Sequence, residues 1–146
     1  MSRLSLLVSV LSLGGVLACR SPKGNDSGFV DDGQPHVFVA SPAVGASVGG
    51  CFVLEVEVYN FAFASPVDEP EPAAGRGHFH AVFGPRFFDC EGLTCDIALT
   101  EATAAEVTVV AQLVGNDHNA IDNADGDTVT DERTFAYTGE PCPVGG

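Results

Sequence analysis

His78 and His80 stand two residues apart in the run Gly77-His78-Phe79-His80-Ala81-Val82-Phe83. On a β-strand, residues at that spacing project from the same face, roughly 6–7 Å apart along it. Two neutral imidazoles on one face can hold Zn²⁺ or Cu²⁺. His118, in Asn116-Asp117-His118, is the natural third ligand if the fold brings its loop to that face. Asp117 beside it fits a fourth ligand or an outer group that orients an imidazole. The plainer reading is that both strand histidines cover a sheet face and His118 sits in a solvated turn. Spacing alone leaves the two readings open.

A second constellation lies just downstream. Asn123-Ala124-Asp125-Gly126-Asp127 is followed by Asp131. Oxygen side chains at alternate positions, a turn-making glycine and a later carboxylate suit Ca²⁺. The full EF-hand pattern fails, because Gly126 in its glycine place puts Ile121 where the first ligand belongs. The segment resembles shorter calcium loops of the Asp-x-Asp-Gly-Asp-x-x-x-Asp type, with Asn123 in first place and Asp125, Asp127 and Asp131 following. An ordinary acidic hairpin loop, built from turn-forming Asp, Asn and Gly, is the bland alternative.

Cysteine is the third reactive type, with five in the chain. Cys19 stands apart at the end of an apolar run. Cys51, Cys90, Cys95 and Cys142 remain, and an even count in an exported chain suggests two disulfides. The short spacing of Cys90 and Cys95 allows a local loop, which leaves Cys51 to pair with Cys142. Their spacing is poor for a cysteine zinc site.

Other chemistry is unsupported. No Gly-x-Ser-x-Gly and no Gly-rich phosphate loop occurs. His-x-His followed by Phe83-Gly84 resembles a fragment of copper-zinc superoxide dismutase, but the remaining histidine ligands and the active-site arginine motif are missing. Four histidines in the whole chain cannot assemble that two-metal site.

The N-terminus says where such a domain would work. Ser2 and Arg3 precede an apolar run from Leu4 to Leu17, shorter than the roughly 20 residues a membrane span needs. It fits the apolar region of an export signal. The run ends in Val16-Leu17-Ala18-Cys19, which resembles the lipobox of bacterial lipoproteins. That resemblance implies a signal peptide over residues 1–18, cleavage before Cys19 and lipidation of its thiol. Multiple acyl chains anchor stably to a membrane. Arg20, in place of an Asp that would retain the protein at the inner membrane, implies the outer membrane. Residues 19–33 read as a flexible tether.

Removing 18 residues from 146 leaves 128, enough for one domain. Loss of Arg3 takes the formal charge from −14 to −15. Such a chain is repelled by nucleic acid and anionic surfaces, and suits cations, basic partners or plain solubility.

The domain itself, residues 34–142, reads as short strands with no convincing long helix, and residues 143–146 as a frayed tail. His36 to Ala40 is a first strand. Ser41 to Val48 is a turn-rich connection. In Cys51 to Val58, Phe52, Leu54, Val56 and Val58 alternate with Glu55 and Glu57, which places the first set in a core. Ser65 to Pro72 is a proline-rich acidic loop. His78 to Phe83 puts Phe79, Ala81 and Phe83 inward and the histidines outward. Asp96 to Thr100, Val107 to Leu113 and Glu132 to Thr138 follow, with one helical turn over Glu101 to Glu106 and a polar loop from Gly115 to Asp131. About seven short strands predict an all-β, antiparallel two-sheet sandwich of immunoglobulin type. In that topology the start of the second strand lies level with the end of the last, which favours Cys51–Cys142.

Three fragments together, Ser41-Pro42-x-x-Gly45-x-x-Val48, Gly77-His78-Phe79-His80 and Asn116-Asp117-His118, resemble a family of uncharacterised bacterial periplasmic domains with an immunoglobulin-like sandwich. The family often has His where this chain has Phe79, and a wider Asp–His spacing than Asp117–His118. The resemblance implies the fold and no activity. The favoured expectation is a non-enzymatic binding or interaction module on a lipid anchor. The alternative is a metal-binding protein of the envelope using His78, His80 and His118. An enzyme comes third.

Overall fold

A computed structural model describes residues 29–101 and 105–143. The signal peptide, Cys19, most of the tether, the centre of the expected helical turn and residues 144–146 lie outside the described residues.

Nine strands form two sheets, with no helix among the described residues. They are β1 (His36–Ser41), β2 (Ser47–Val48), β3 (Cys51–Tyr59), β4 (Ala62–Phe63), β5 (Arg76–Phe83), β6 (Arg86–Cys90), β7 (Thr94–Ala98), β8 (Glu106–Val114) and β9 (Thr130–Tyr137). One sheet has the order β1-β3-β7; the other runs β2-β9-β8-β5-β4, with β6 also on β5. The protein is an all-β two-sheet sandwich. Leu54, Val56 and Ile97 from the first sheet meet Phe79, Leu113, Val109 and Phe135 from the second in one buried core. The alternation expected for β3, β5, β8 and β9 is what fills it.

Two very short strands and one longer one add to the six placed from the sequence and bring the total to nine. Within the expected turn-rich connection, Ser47 and Val48 pair in parallel with Ala136 and Tyr137. Ala62 and Phe63 pair in parallel with Arg76 and Gly77. Two residues are too few for a period to show. The third is β6, in the stretch between the His78–Phe83 strand and the Cys90–Cys95 loop, for which the sequence predicts no strand. Gly84 and Pro85 instead form a two-residue hairpin turn, with Phe83 opposite Arg86. Gly84 takes φ 56°, as the first position of a two-residue hairpin turn wants.

The parallel β2–β9 pair sets the chain ends level. Gly50 N donates to Glu140 O at 2.7 Å, and next to it Cys51 is bonded to Cys142. Cys90 is bonded to Cys95, tying the end of β6 in one sheet to β7 in the other.

The domain takes in residues before Gln34. The Phe29 ring packs on Tyr59 with centroids 4.4 Å apart and edge-on to Phe38 at 5.4 Å. Asn60 Nδ2 donates to Asp31 Oδ1 at 2.7 Å. Residues 29–33 are thus docked on the outer face of the smaller sheet rather than part of a free tether. The aromatic side chain at position 29 supplies the apolar contact that a Gly/Ser/Asp tether lacks.

Candidate metal centre

β5 is a central strand, hydrogen-bonded to β8 on one side and to β4 and β6 on the other. Its alternation sends Phe79 and Ala81 into the core and His78, His80 and Val82 to the outer face. His78 is nonetheless fully buried, with 0% of its surface exposed. Its cover is the loop that leaves β8 and folds back over β5.

Gly77 is what lets that loop come close. A Cβ there would sit 2.0 Å from Val114 O and 2.9 Å from Gly115 Cα. Its φ of 156° lies where side chains are disfavoured. Past Gly115 the chain makes a tight turn, with His118 N donating to Gly115 O at 2.9 Å and Gly115 N to Asn119 O at 2.9 Å. His118 itself adopts φ 58°, an uncommon backbone for a residue other than glycine, of the kind that gathers at functional sites.

This turn places the third imidazole over the strand pair. His78 Nε2 lies 3.2 Å from His80 Nε2, and His80 Nε2 lies 3.3 Å from His118 Nδ1. The fourth member is Asp89 of β6, in register opposite His80. Its Oδ1 lies 2.9 Å from His80 Nε2, 3.6 Å from His78 Nε2 and 4.0 Å from His118 Nδ1. All four ligand atoms fall within 4.8 Å of one another, and no other group of three or more His, Cys, Asp or Glu side chains converges this way among the described residues.

Hydrogen bonds cannot satisfy this arrangement. His80 Nε2 faces two imidazole nitrogens and a carboxylate oxygen, and one ring nitrogen offers a single proton or a single lone pair, so it serves one of the three at a time. A cation at the centre satisfies all four at once. Zinc bonds to nitrogen of about 2.0–2.1 Å imply tetrahedral edges of about 3.3–3.4 Å, and five of the six separations, 2.9, 3.2, 3.3, 3.6 and 4.0 Å, lie about that value.

The surroundings favour neutral, ligating imidazoles. Burial lowers the pKa of His78 below its ordinary value, and the neighbouring His118 lowers it further, against opposing help from Asn116, Asp89 and Glu91. Burial likewise lowers His80, with Asp89 opposing. Phe87 stacks on the His80 ring, centroids 4.7 Å apart. The centre is covered on the His78 side and open on the other, where Asp89 and His118 remain half exposed.

Asp117 does not join. Its Oδ1 accepts from Asn119 N at 3.1 Å and its Oδ2 from Asn119 Nδ2 at 2.7 Å. Those hydrogen bonds hold its carboxyl below the usual range; Asp117 shapes the turn that presents His118. Asp89 was missed, although folding the chain about Gly84-Pro85 would have placed it opposite His80.

The calcium loop does not gather either. Asn123 Oδ1 accepts from Asp125 N at 3.0 Å and Asp127 N at 2.9 Å, so it closes the turn. Asp131 Oδ2 accepts from Val39 N at 2.8 Å and Arg133 Nε at 3.2 Å. It links β9 to β1 and serves architecture. Asp125 and Asp127 form no ligand cluster with it. In this structure Asn123 serves as a hydrogen-bonded turn residue and Asp131 as a link between strands.

Comparison with protein-family models, curated proteins and solved structures finds no match to this chain.

Proposed function

We propose that the protein is a zinc-binding, non-enzymatic module of the bacterial cell envelope, held to the membrane by lipid on Cys19. The metal part of this reading is carried by one observation: Nε2 of His78 and His80, Nδ1 of His118 and Oδ1 of Asp89 converge within 4.8 Å. Zinc suits the geometry better than Cu²⁺. In a square plane each ligand has one partner across the metal at about 4 Å, twice a typical metal–nitrogen bond. His80 has none, since its three separations run only from 2.9 to 3.3 Å.

Four protein ligands fill a tetrahedral zinc. Catalytic zinc keeps a position for water, whereas a closed set serves binding or structure. This favours the non-enzymatic reading. The envelope location is supported by two disulfides, which persist in oxidising compartments, and by the Val16-Leu17-Ala18-Cys19 motif. No helix among the described residues is long and apolar enough to cross a membrane.

Calorimetry of the purified protein with ZnCl₂ tests the metal reading. One zinc per chain, bound more tightly than about 0.1 mM and lost in His78→Ala/His80→Ala, is expected. The absence of any such site would end it. The anchor is tested separately: wild type should fractionate with membranes and Cys19→Ala with the soluble envelope fraction, and equal retention of both would remove lipidation.

A further inference from the structure

Two side-chain atoms beside the metal centre are buried and without a hydrogen-bond partner, His78 Nδ1 and Asn116 Oδ1. We infer that they form a pair: Asn116 is a positioning residue whose carbonyl accepts the Nδ1 proton of His78 and so fixes the bare Nε2 toward the metal. This rests on the zinc reading of the same centre, and adds to it a residue that touches no metal.

The orientation of the Asn116 amide is set from outside. Its Nδ2 donates to Ser65 O, at 3.4 Å, and to Glu69 O. An amide donates only through nitrogen, so the oxygen must be the end turned away from those two carbonyls. An acceptor then remains with no donor, in a place where an unmet polar atom costs free energy. The other buried atom left without a partner belongs to an imidazole whose Nε2 already faces the ligating groups of the cluster. Ala64 N donates to Gly77 O at 2.6 Å, which sets Ser65, and the amide it holds, beside the residue that precedes His78; His78 and Asn116 are the two buried polar side chains among the described residues.

The backbone holds both partners in place. Val114 pairs with His78 across β5 and β8, and Asn116 follows two residues on, immediately past the contact over Gly77. The loop from Ser65 to Glu69 is thereby part of the centre. It grips the amide, the amide selects the tautomer, and the tautomer leaves a lone pair on Nε2. Outer partners of this kind raise ligand basicity and fix ring orientation, and their loss typically weakens metal binding by about 10–100-fold.

Nitrogen-15 NMR of the metal-free protein at pH 8, followed by zinc titration, tests this. In wild type, His78 should carry its proton on Nδ1 before any zinc is added. In Asn116→Leu that tautomer should give way to a mixture, and zinc affinity should fall about 10–100-fold. Asn116→Asp keeps an acceptor and should retain the Nδ1-protonated ring. A proton on Nε2 of His78 in metal-free wild type overturns the inference even if zinc binds. Failure of zinc to bind while the Nδ1 tautomer is present overturns the metal reading instead. Should Asn116→Leu not fold, the wild-type spectrum still decides.

Discussion

Asp89 Oδ1 lies 2.9 Å from His80 Nε2, directly across the β5–β6 hairpin. The pairing follows from the Gly84-Pro85 turn, because each step back along one strand is matched by a step along the other. Asp89 is the only anionic member of the cluster. It offsets part of the charge of a divalent ion, which three neutral imidazoles cannot. Asp89→Ala should therefore weaken zinc binding by at least about tenfold, on the scale of losses at metal sites, and Asp89→Asn should recover only part of it. Calorimetric affinities for the two variants check this; unchanged binding in both would remove Asp89 from the ligand set.

Much of this fold can be read from the sequence, because its long strands alternate cleanly. Leu54 and Val56 on β3, or Val107 to Leu113 on β8, carry the signal for two buried faces residue by residue. β6 is different. Arg86-Phe87-Phe88-Asp89-Cys90 has apolar neighbours in adjacent places, and Phe87 ends up outside, stacked on His80. Its strand character comes from pairing with β5, and the Gly-Pro turn was the one local clue. The convergence of His118 with the strand histidines was legible only as a condition. It depends on the close approach of Gly115 to Gly77, a tertiary fact with no periodicity to betray it. Asp117 and Asn123 both accept from backbone amides of their own turns, as short polar side chains in loops readily do.

That close approach makes Gly77 a sensitive position. Gly77→Ala sets a methyl 2.0 Å from Val114 O, at a contact between backbones that cannot rotate away. The last residues of β8 must shift, and with them the turn bearing His118. Destabilisation of about 1–3 kcal/mol is expected, as for overpacking elsewhere, together with loss of zinc binding. Thermal melts and zinc titration measure the two effects. A variant with wild-type stability and affinity would show that the loop does not lie on β5.

The histidines also predict a pH dependence. In the unfolded chain an imidazole takes up its proton near pH 6.5. Burial delays that uptake for His78 and His80 in the folded protein. Between the two pKa values the unfolded state binds more protons, so stability falls as pH drops through that window. The stabilisation is fully present above about pH 6.5 and is lost at lower pH. Thermal melts of metal-free protein from pH 7.5 to 5.0 should show a decline that is reduced in His78→Gln/His80→Gln. Zinc should raise the melting temperature at pH 7.5 and progressively less below pH 6.5, because protons and metal compete for the same nitrogens. A decline identical in wild type and the double variant would mean that other groups cause it.

The two disulfides should separate stability from metal binding. Cys51–Cys142 closes a separation of 91 residues, which in the chain-entropy view contributes about 4–5 kcal/mol. Cys90–Cys95 closes only five, and on the same view contributes about 2 kcal/mol. Position reverses their importance for the metal. Cys142 lies a few residues past β9, its backbone N donating to Leu99 O, and it is not a member of the cluster. Cys90 directly follows Asp89 and ties the end of β6 to the opposite sheet. Replacing Cys51 and Cys142 by Ala should lower the melting temperature more, yet leave zinc affinity near wild type wherever the variant is folded. Replacing Cys90 and Cys95 should cost less stability and weaken zinc more, since the carboxylate loses the bond that fixes its strand end. Melting curves and zinc titrations of the two double variants supply the comparison. If the Cys90/Cys95 variant bound zinc as tightly as wild type, the pairing of β6 with β5 alone would suffice to hold Asp89 in the centre.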